Sequence, residues 1–545
     1  MQPSTRSRRR HPDRGEHLGK PHGLVAPRVQ AVGPERFGIV AIDPAKARSY
    51  WLLADSYGRV LVPLTTVEHT RSGFDAAIDH LKRAIAEHDL RDTIVAVEQT
   101  GSYHRPVKRA FAAAGFDTRI VHPSISRHYR QAADYDTKTD ATDTEAGIFR
   151  AAINGFGLQE PPRDPIYAAL QFWARHRRDL VQKETLLRCQ ILEHVEACLP
   201  GYARCFDDIL ETQFGMLVPR HYASPAAVAA AGVEGLRRLA RLGRARVQRP
   251  TLLRILGWAG DAASADPDAE LHRARAITLD DDRIHKRKQI HSCERDLVAQ
   301  LVQTPYVRLL ALPGLNVVTA GELAGEAGPM AHYATARVIT GRAGLFPRRY
   351  QSDRVDLASG RLARRGNRRL RQALLQAADT LVRCNDHFGA LAARWRAAGK
   401  DPREVHVRVA GRLARIAFRM VGDGGGYDHP ACRGPEHALE KLAHFHVNHN
   451  IDEDMMRTNL ERAAAQLPPP SGRAAADAPR EAAGGGPRRA PSAGTSPASG
   501  DVSPPARPGR GRGPKALSTI LPELLKRLGG EAAKVLESAM SGEVP

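Results

Sequence analysis

Short apolar runs alternate with amphipathic stretches between residues 36 and 160. The runs RFGIVAIDP, DTIVAVEQT and FDTRIVHP are typical of buried strands, and SYWLLADSYGRVLVPLTT divides about the turn DSYG into two halves typical of a β-hairpin. SGFDAAIDHLKRAIAEH and YHRPVKRAFAAAG repeat apolar residues at helical spacing. The order strand, hairpin, helix, strand, helix, strand, helix predicts a compact α/β domain whose strands share one carboxyl-terminal edge.

The pattern becomes helical throughout residues 161–303, where Trp173, Leu180 and Leu187 recur every seven residues. This spacing predicts a long helix or coiled-coil arm. Residues 304–424 predict a second folded domain that is mainly helical. Within it, YVRLLALPGLNVVTAGELAGEAG has the form helix, glycine turn, helix, as in helix-hairpin-helix elements that bind phosphate through backbone N–H groups.

Both ends of the chain lack such patterning. Residues 1–35 are rich in Arg, Pro and Gly and predict a disordered basic arm. Residues 425–545 are dominated by Pro, Gly, Ala, Ser and Arg and predict a disordered tail. Inside that tail, LSTILPELLKRLGGEAAKVLESAM has the amphipathic pattern of a short terminal helix.

The charge balance indicates the class of partner. The chain carries 81 Lys and Arg residues against 60 Asp and Glu residues, a formal net charge of +21. Such an excess attracts polyanions and strengthens phosphate contacts through counterion release, so nucleic acid is the leading partner class. Codon bias explains a preference for Arg over Lys but not the positive balance. We predict that nucleic acid is bound by a cluster next to Arg371, namely Arg348, Arg349, Arg354, Arg361, Arg364, Arg365, Arg368 and Arg369.

The cysteines and the hydropathy indicate the cellular compartment of the protein. The six cysteines form neither a C-x-x-C pair nor a disulfide-like spacing, which predicts a reducing cytosol and argues against a zinc site. No apolar run reaches the roughly 18 residues that a membrane span needs. We therefore expect a cytoplasmic, nucleoid-associated protein.

Acidic side chains mark three points of the predicted α/β domain. Asp43 and Glu98 each close an apolar strand, and Asp140 and Asp143 stand three residues apart on one helix face. If that helix packs over the strand ends, four carboxylates meet, and their repulsion requires a divalent cation. Oxygen ligands without a His or Cys partner favour Mg²⁺ or Mn²⁺. Taken singly, each acid is more simply explained by a turn or a helix start, but together they favour metal-dependent phosphoryl transfer.

Three motifs carry a family resemblance: AIDPAK at 41–46, VEQTGSYH at 97–104 and KTDATDTEAG at 138–147. They resemble the DEDD motifs of the insertion sequence one-ten family of transposases. The resemblance implies a RuvC-like, RNase H-like catalytic domain over residues 36–160, with a structured bridge RNA as guide. It assigns metal binding and catalysis to Asp43, Glu98, Asp140 and Asp143.

A second group of motifs, PGLNVVTA, AGLFPR and RRGNRRLR, resembles the C-terminal transposase domain of the same family. The resemblance implies a serine nucleophile that forms a covalent phosphoserine link to DNA, and the matching position is Ser352. The family has glycine after this serine, whereas Asp353 follows here, so Ser359 before Gly360 is a second candidate. In the family the two domains of one site come from different protomers, which implies homodimers or homotetramers.

Four functions remain open on these residues. The favoured one is a transposase, a site-specific DNA recombinase that cuts and rejoins DNA through the carboxylates, Mg²⁺ and Ser352. A DNA invertase of the same DEDD class would use the same residues, and an RNase H-like nuclease would need the carboxylates but not Ser352. A non-catalytic nucleic-acid-binding protein would need neither.

Overall fold

The computed structural model of the 545-residue chain describes residues 25–133, 138–155, 164–347, 350–352, 355–357, 362–363, 366–425 and 427–467. The chain separates into two compact units, Met1–Arg163 and Asp164–Pro545. The predicted arm and the predicted C-terminal domain both lie in the second unit. The expected plan, an α/β domain followed by a mainly helical region, is confirmed.

A mixed sheet forms the centre of the first unit, with strands β1 Phe37–Pro44, β2 Arg48–Asp55, β3 Val60–Glu68, β4 Asp92–Glu98 and β5 Asp117–Val121. Their spatial order is β3-β2-β1-β4-β5. The first three strands pair antiparallel, whereas β4 runs parallel to both β1 and β5. The hairpin predicted around DSYG is the connection between β2 and β3. Because β1 and β4 are central, both of their faces are buried, which explains their nearly continuous apolar runs.

Helices cover both faces of this sheet: α1 Val25–Val32, α2 Arg71–Glu87, α3 His104–Ala113, α4 Pro123–Ala132, α5 Asp140–Thr142, the π-helix Asp143–Phe149 and α6 Arg150–Ile153. On one face, Ile42 packs in a cluster with Leu81 of α2 and Phe111 of α3. On the other face, Ile39 packs in a cluster with Ile148 of the π-helix. The alternation of side chains along β1 thus holds a layer of helices on each side.

The prediction of a disordered arm over residues 1–35 is wrong for the part of it that the structure describes. Val25 and Val29 of α1 are buried in the core beside the sheet. Arg28 of the same helix forms ion pairs with two strand carboxylates, those of Asp92 at 2.5 Å and Asp117 at 2.7 Å. The helix pattern was not evident because its partners lie more than 60 residues away. Residues 1–24 lie outside the described residues.

The second unit begins with α7 Pro165–Cys198, α8 Gln213–His221, α9 Pro225–Leu242, α10 Arg249–Asp261 and α11 Ala269–Leu301. The long helices α7 and α11 lie side by side in opposite directions, because Leu180 packs against Ile290 while the Cys198 thiol donates to the Ala269 carbonyl. The predicted heptad positions therefore find a partner helix within the same chain. Helices α8 to α10 pack with the end of this pair in a separate apolar core.

The rest of this unit contains α12 Val317–Ala327, α13 Ala336–Ala343, β6 Tyr350–Ser352, β7 Val355–Leu357, α14 Arg368–Cys384, α15 Asp386–Ala397 and α16 Pro402–Gly422, followed by α17 Pro435–Asn448 and α18 Glu453–Gln466. The predicted helix before the LPGLN turn is a 3-10 segment, Pro305–Ala311, and Asn316 caps the helix after the turn. None of the helices in the described residues has both the length and the apolar surface needed to cross a bilayer.

The prediction of a disordered tail over residues 425–545 is wrong for residues 427–467. Leu439 and Leu442 of α17 and Leu460 of α18 are buried in the main core of the unit. The Lys441 ammonium donates to the carbonyls of Leu310, Leu312 and Leu315 at 2.7–2.9 Å, which ties α17 to the LPGLN turn. These few apolar residues are inconspicuous among polar neighbours, and only their common helix face makes them core-forming. Residues 468–545 lie outside the described residues.

Candidate active site

The ends of two neighbouring strands bring the first two predicted carboxylates to one edge of the sheet. Asp43 is the penultimate residue of β1, and Glu98 is the last residue of β4. Because the strands are parallel with Ile42 opposite Val97, both acids follow directly from a shared register. Both are partly buried, and a side-chain hydrogen bond joins them.

The other two carboxylates come from the segment that begins α5. The Thr139 hydroxyl accepts a hydrogen bond from the Thr142 N–H at 3.1 Å and starts the helix, so Asp140 occupies its first position and remains exposed. Asp143 is buried at the start of the π-helix that packs against the sheet. A π-helix is rare and frequently occurs at functional sites, because its wider turn redirects side chains.

All three of the other carboxylates raise the pKa of Asp43. Burial, together with the negative charges of Glu98, Asp143 and Asp140 in that order, raises the pKa of Asp43 to about 7. Burial disfavours the charged carboxylate most, and nearby like charges add to that effect. The other three predicted acids therefore lie within electrostatic range of Asp43.

Residues of α4 hold two of these acids and were not anticipated from the sequence. The Ser126 hydroxyl donates to Glu98 Oε1, and Arg130 Nε lies 2.6 Å from Asp143 Oδ1 in a buried ion pair. Gly147 allows this close packing, because a Cβ there would lie 3.1 Å from the Ser126 carbonyl oxygen. The order of the elements could have indicated these residues, because α4 follows β5 and the end of β5 lies at the same sheet edge as Glu98.

The donor chemistry fits a divalent cation, although the side chains of the described residues are not arranged around one. No three His, Cys, Asp or Glu side chains in the described ranges already surround a common point as ligands. Asp143 instead pairs with Arg130, and Lys138 Nζ lies 3.5 Å from its other oxygen. An all-oxygen set containing an acid with a pKa near neutrality is nevertheless a set that a hard cation stabilises.

Comparison with known proteins connects this site to a family. A family model for DEDD transposases of the IS110 group, described as "Transposase", matches residues 40–200, which contain all four acids. A second model, described as "Transposase IS116/IS110/IS902 family", matches residues 306–393. The chain belongs to the IS110 family of DEDD transposases. It is therefore a DNA-binding enzyme of a class that works with divalent metal ions.

Relatives of this IS110-family transposase match over most of their own length. The transposase for insertion sequence element IS1328 of Yersinia enterocolitica is 25% identical over 337 residues, which are 61% of this chain and 84% of the relative. A probable family 20 transposase of Pseudomonas aeruginosa is 25% identical over 348 residues, 63% of this chain and 88% of the relative. The insertion element IS900 42 kDa protein of Mycobacterium paratuberculosis is 27% identical over 300 residues, 54% of this chain and 73% of the relative.

The predicted nucleophile and most of the predicted arginines of this transposase fall in sparsely described segments. The Ser352 backbone ends β6, which pairs antiparallel with β7, but its side chain is outside the description. The alternative, Ser359, is outside it entirely, as are Arg348, Arg349, Arg354, Arg361, Arg364 and Arg365.

Three of the clustered arginines of the transposase are described. Arg368 and Arg369 are exposed at the start of α14, and Asn367 caps that helix by accepting from the N–H groups of Arg369 and Leu370 at 3.0 Å. Arg371 instead donates to the carbonyls of Ala343 and Ala363, so it holds the preceding segment in place.

A basic groove of about 1030 Å³ runs between α7, α12 and α14 in the second unit of the transposase. Its lining includes five arginines and two acids: Arg177, Arg178, Arg368, Arg371 and Arg383, with Glu322 and Asp379. Three of these arginines are ion-paired: Arg177 with Glu294, Arg178 with Glu322 and Arg383 with Asp379. Arg368 extends the positive surface toward the N-terminus of α14. A groove of this charge is suited to a nucleic acid backbone.

Proposed function

We propose that this transposase cuts and rejoins DNA at a divalent cation, Mg²⁺ or Mn²⁺, held by Asp43, Glu98, Asp140 and Asp143, with Ser352 as the nucleophile. The observation that carries the proposal is the convergence of four acids on Asp43, whose pKa rises to about 7. The cation would supply positive charge against the charge developed during phosphoryl transfer. The sheet order β3-β2-β1-β4-β5 supports an RNase H-like, RuvC-like catalytic domain around these acids.

Different side chains would have different roles in strand cleavage. Ser126 and Thr100 donate to Glu98, so they keep its two oxygens oriented at the edge of the sheet. The Ser352 oxygen would form a bond to phosphorus while the bond from phosphorus to one DNA oxygen breaks. The proton lost by serine ends on that departing oxygen, so the DNA hydroxyl released can reverse the step on a new phosphoserine and rejoin strands. Arg368 and the basic groove are suited to holding the DNA backbone nearby.

The proposal includes a structured guide RNA and an assembly of two or four copies. A net charge of +21 favours the binding of polyanions, which is consistent with a guide RNA beside the DNA. In such a system base pairing selects the sequence, and the protein holds backbones and shape. Two protomers would then each contribute one half of a composite site.

The decisive experiment purifies the transposase with its co-expressed RNA and adds a DNA that spans the element's junction. We expect a protein–DNA adduct that requires Mg²⁺ and maps by mass spectrometry to Ser352. Ser352→Ala should abolish the adduct, and Ser359→Ala should retain it. Asp140→Asn should lower the rate of DNA cleavage by at least about 100-fold, because it removes a metal ligand. An adduct on Ser359 would show that Ser359, and not Ser352, is the nucleophile of the same reaction.

A nuclease that uses water is the second candidate, because the four acids form a site that does not depend on the position of Ser352. The same experiment separates the two functions. Hydrolysed DNA at an undiminished rate in Ser352→Ala and Ser359→Ala, with no adduct in the wild type, would establish the nuclease and end the recombinase proposal.

A further inference from the structure

A second basic feature of the second unit shares no lining residue with the basic groove. It is a cavity of about 400 Å³ lined by residues of α13, α15 and α16 and by His429, and we refer to it as the α16 cavity. Its charged lining is entirely basic, with three arginines and two histidines and no acidic side chain. A volume of this size accommodates a phosphate with part of its sugar, and not a folded segment.

The three arginines stand on one face of α16. Arg412, Arg415 and Arg419 are spaced by three and four residues, so they project side by side. None of them forms an ion pair with an acid in the described residues, whereas Arg408 on the same helix pairs with Glu404 at 2.7 Å. Arg412 lies over the Trp395 ring at 5.3 Å, which holds its guanidinium at the cavity while Arg415 and Arg419 remain exposed. Three adjacent cations without a counter-charge are suited to an anionic ligand.

The two histidines add hydrogen-bond donors from separate segments. His387 and His429 face each other with their ring centroids 4.9 Å apart. The His429 Nδ1 accepts from the Ala431 N–H at 3.1 Å, so the proton of the neutral ring is on Nε2. The His387 Nε2 is buried with no hydrogen-bond partner in the described part of the chain. A buried polar nitrogen without a protein partner is a group that a ligand bound in the cavity can satisfy.

The start of α13 completes the wall. Ala336, the first residue of that helix, lines the cavity, and no side chain caps the N–H groups of its first turn. The Val338 N–H donates to the Thr335 carbonyl at 3.0 Å, and the start of the helix favours an anion through its dipole. Arginine side chains, imidazole nitrogens and helix amides thus surround the same space.

We propose that the α16 cavity binds a phosphate of a nucleic acid backbone, as a contact additional to the basic groove. The proposal rests on the membership in a DNA-binding family, not on the metal site or the nucleophile. Exposed Arg415 and Arg419 would contact the flanking backbone, while Arg412, His387 and His429 would hold the phosphate that enters the cavity. Phosphodiesters of DNA and of RNA present the same chemistry, so the experiment compares both.

The test measures binding of the full chain to fluorescent duplex DNA, single-stranded DNA and single-stranded RNA of equal length, in EDTA and across a salt series. The variant replaces Arg412, Arg415 and Arg419 with Gln. The matched control removes the same charge at exposed arginines outside the cavity by replacing Arg394, Arg396 and Arg403 with Gln. We expect the cavity variant to weaken binding of at least one polymer about tenfold more than the control. The slope of log affinity against log salt should also fall by about one more for the phosphate lost.

A second measurement locates the contact in the wild-type chain, where folding is not at issue. Phenylglyoxal labelling with mass spectrometry should show Arg412, Arg415 and Arg419 protected by the bound polymer, while Arg394 and Arg396 stay reactive. The polymer that protects these arginines identifies whether the phosphate belongs to DNA or to RNA. Equal losses in both triple variants, or labelling of the α16 arginines that no polymer reduces, would overturn the proposal. Because EDTA prevents catalysis, these outcomes are independent of the adduct experiment.

Discussion

Asp43 is the side chain on which the active-site charges act most strongly. Its place at the end of β1 buries it, and the three acids around it add repulsion, so the carboxyl keeps its proton with a pKa of about 7. Glu98 receives hydrogen bonds, and Asp143 receives a buried arginine. An incoming cation would displace the proton of Asp43, because it supplies the positive charge that this carboxyl otherwise takes from the proton.

The protonation of Asp43 predicts how stability depends on pH. The folded state keeps this proton up to pH about 7, whereas the unfolded carboxyl releases it near 3.8. Because the folded state binds more protons in that window, the free energy of unfolding contributed by Asp43 falls as pH rises from about 4 to 7. Asp43→Asn should therefore be more stable than the wild type at pH 8 and equal to it near pH 4, measured by urea unfolding in EDTA.

Asp92 is the matched control, because the hydrogen bond from Arg28 lowers the pKa of its carboxyl. A depressed pKa stabilises the fold above the ordinary range of the group, and the contribution is lost as pH falls. Asp92→Asn should therefore destabilise the protein at pH 7 and 8 and have less effect in acid. An Asp43→Asn variant that loses stability at pH 8 would contradict the close packing of the four acids.

Metal binding gives a second prediction for the same residues. Addition of Mg²⁺ to the EDTA-treated protein should raise its melting temperature at pH 7.5, because only the folded chain assembles the oxygen donors. Asp140 is exposed, so Asp140→Asn should leave the metal-free melting temperature nearly unchanged and abolish most of the Mg²⁺ shift. Asp75→Asn, an exposed acid on α2, should keep the shift in full. Equal shifts in all three proteins would indicate binding elsewhere.

Helices α7 and α12 meet at a contact that one glycine permits. A Cβ at Gly325 would lie 2.6 Å from the Gln171 nitrogen and 2.8 Å from the Leu170 carbonyl carbon, both backbone atoms of α7. The same contact places Arg175 against buried Glu326 at 2.7 Å. Since α7 belongs to the predicted arm and α12 to the predicted C-terminal domain, this crossing joins those two regions into one unit.

Gly325→Ala should destabilise the protein by about 2 kcal/mol or more, because two helix backbones must move apart to admit the methyl group. The control is Gly411→Ala in α16, where a Cβ meets nothing within 4 Å. There the change should stabilise by about 0.5–1 kcal/mol through helix propensity. Both values come from urea unfolding monitored by circular dichroism. A neutral Gly325→Ala would show that the crossing is wider than described.

The main core of the second unit extends beyond the region that the family models match, which ends at residue 393. Helices α17 and α18 add Leu439, Leu442 and Leu460 to that core, and Arg308 of the 3-10 segment donates to the carbonyls of Met420 and Gln466. These contacts make α17 and α18 part of the same folded unit as the 3-10 segment and α16.

Truncation tests this extension. A chain ending at residue 425 should lose at least about 5 kcal/mol, because three buried leucines at roughly 2 kcal/mol each are removed from the core. A chain ending at residue 467 retains every described contact and should melt with the full-length protein. The measurement is the melting temperature of both truncated forms beside the whole chain. Identical melting of the 425 form and the whole chain would show that α17 and α18 do not stabilise the unit.

Local pattern alone determined much of this transposase. The apolar runs of β1 and β4 and the acids that close them follow from interactions within a few residues, so composition and spacing predicted them. The motifs around the four acids predicted the family that the comparisons then confirmed.

Tertiary structure decided what depends on distant partners. Helices α1, α17 and α18 carry too few apolar residues to form alone, and they fold because the sheet and the main core supply the other half of each contact. Ser126 and Arg130 reach the acids only because α4 crosses the sheet edge, and His387 and His429 meet from separate segments. Spacing along the chain contains no information about such pairs, since their proximity is produced by packing.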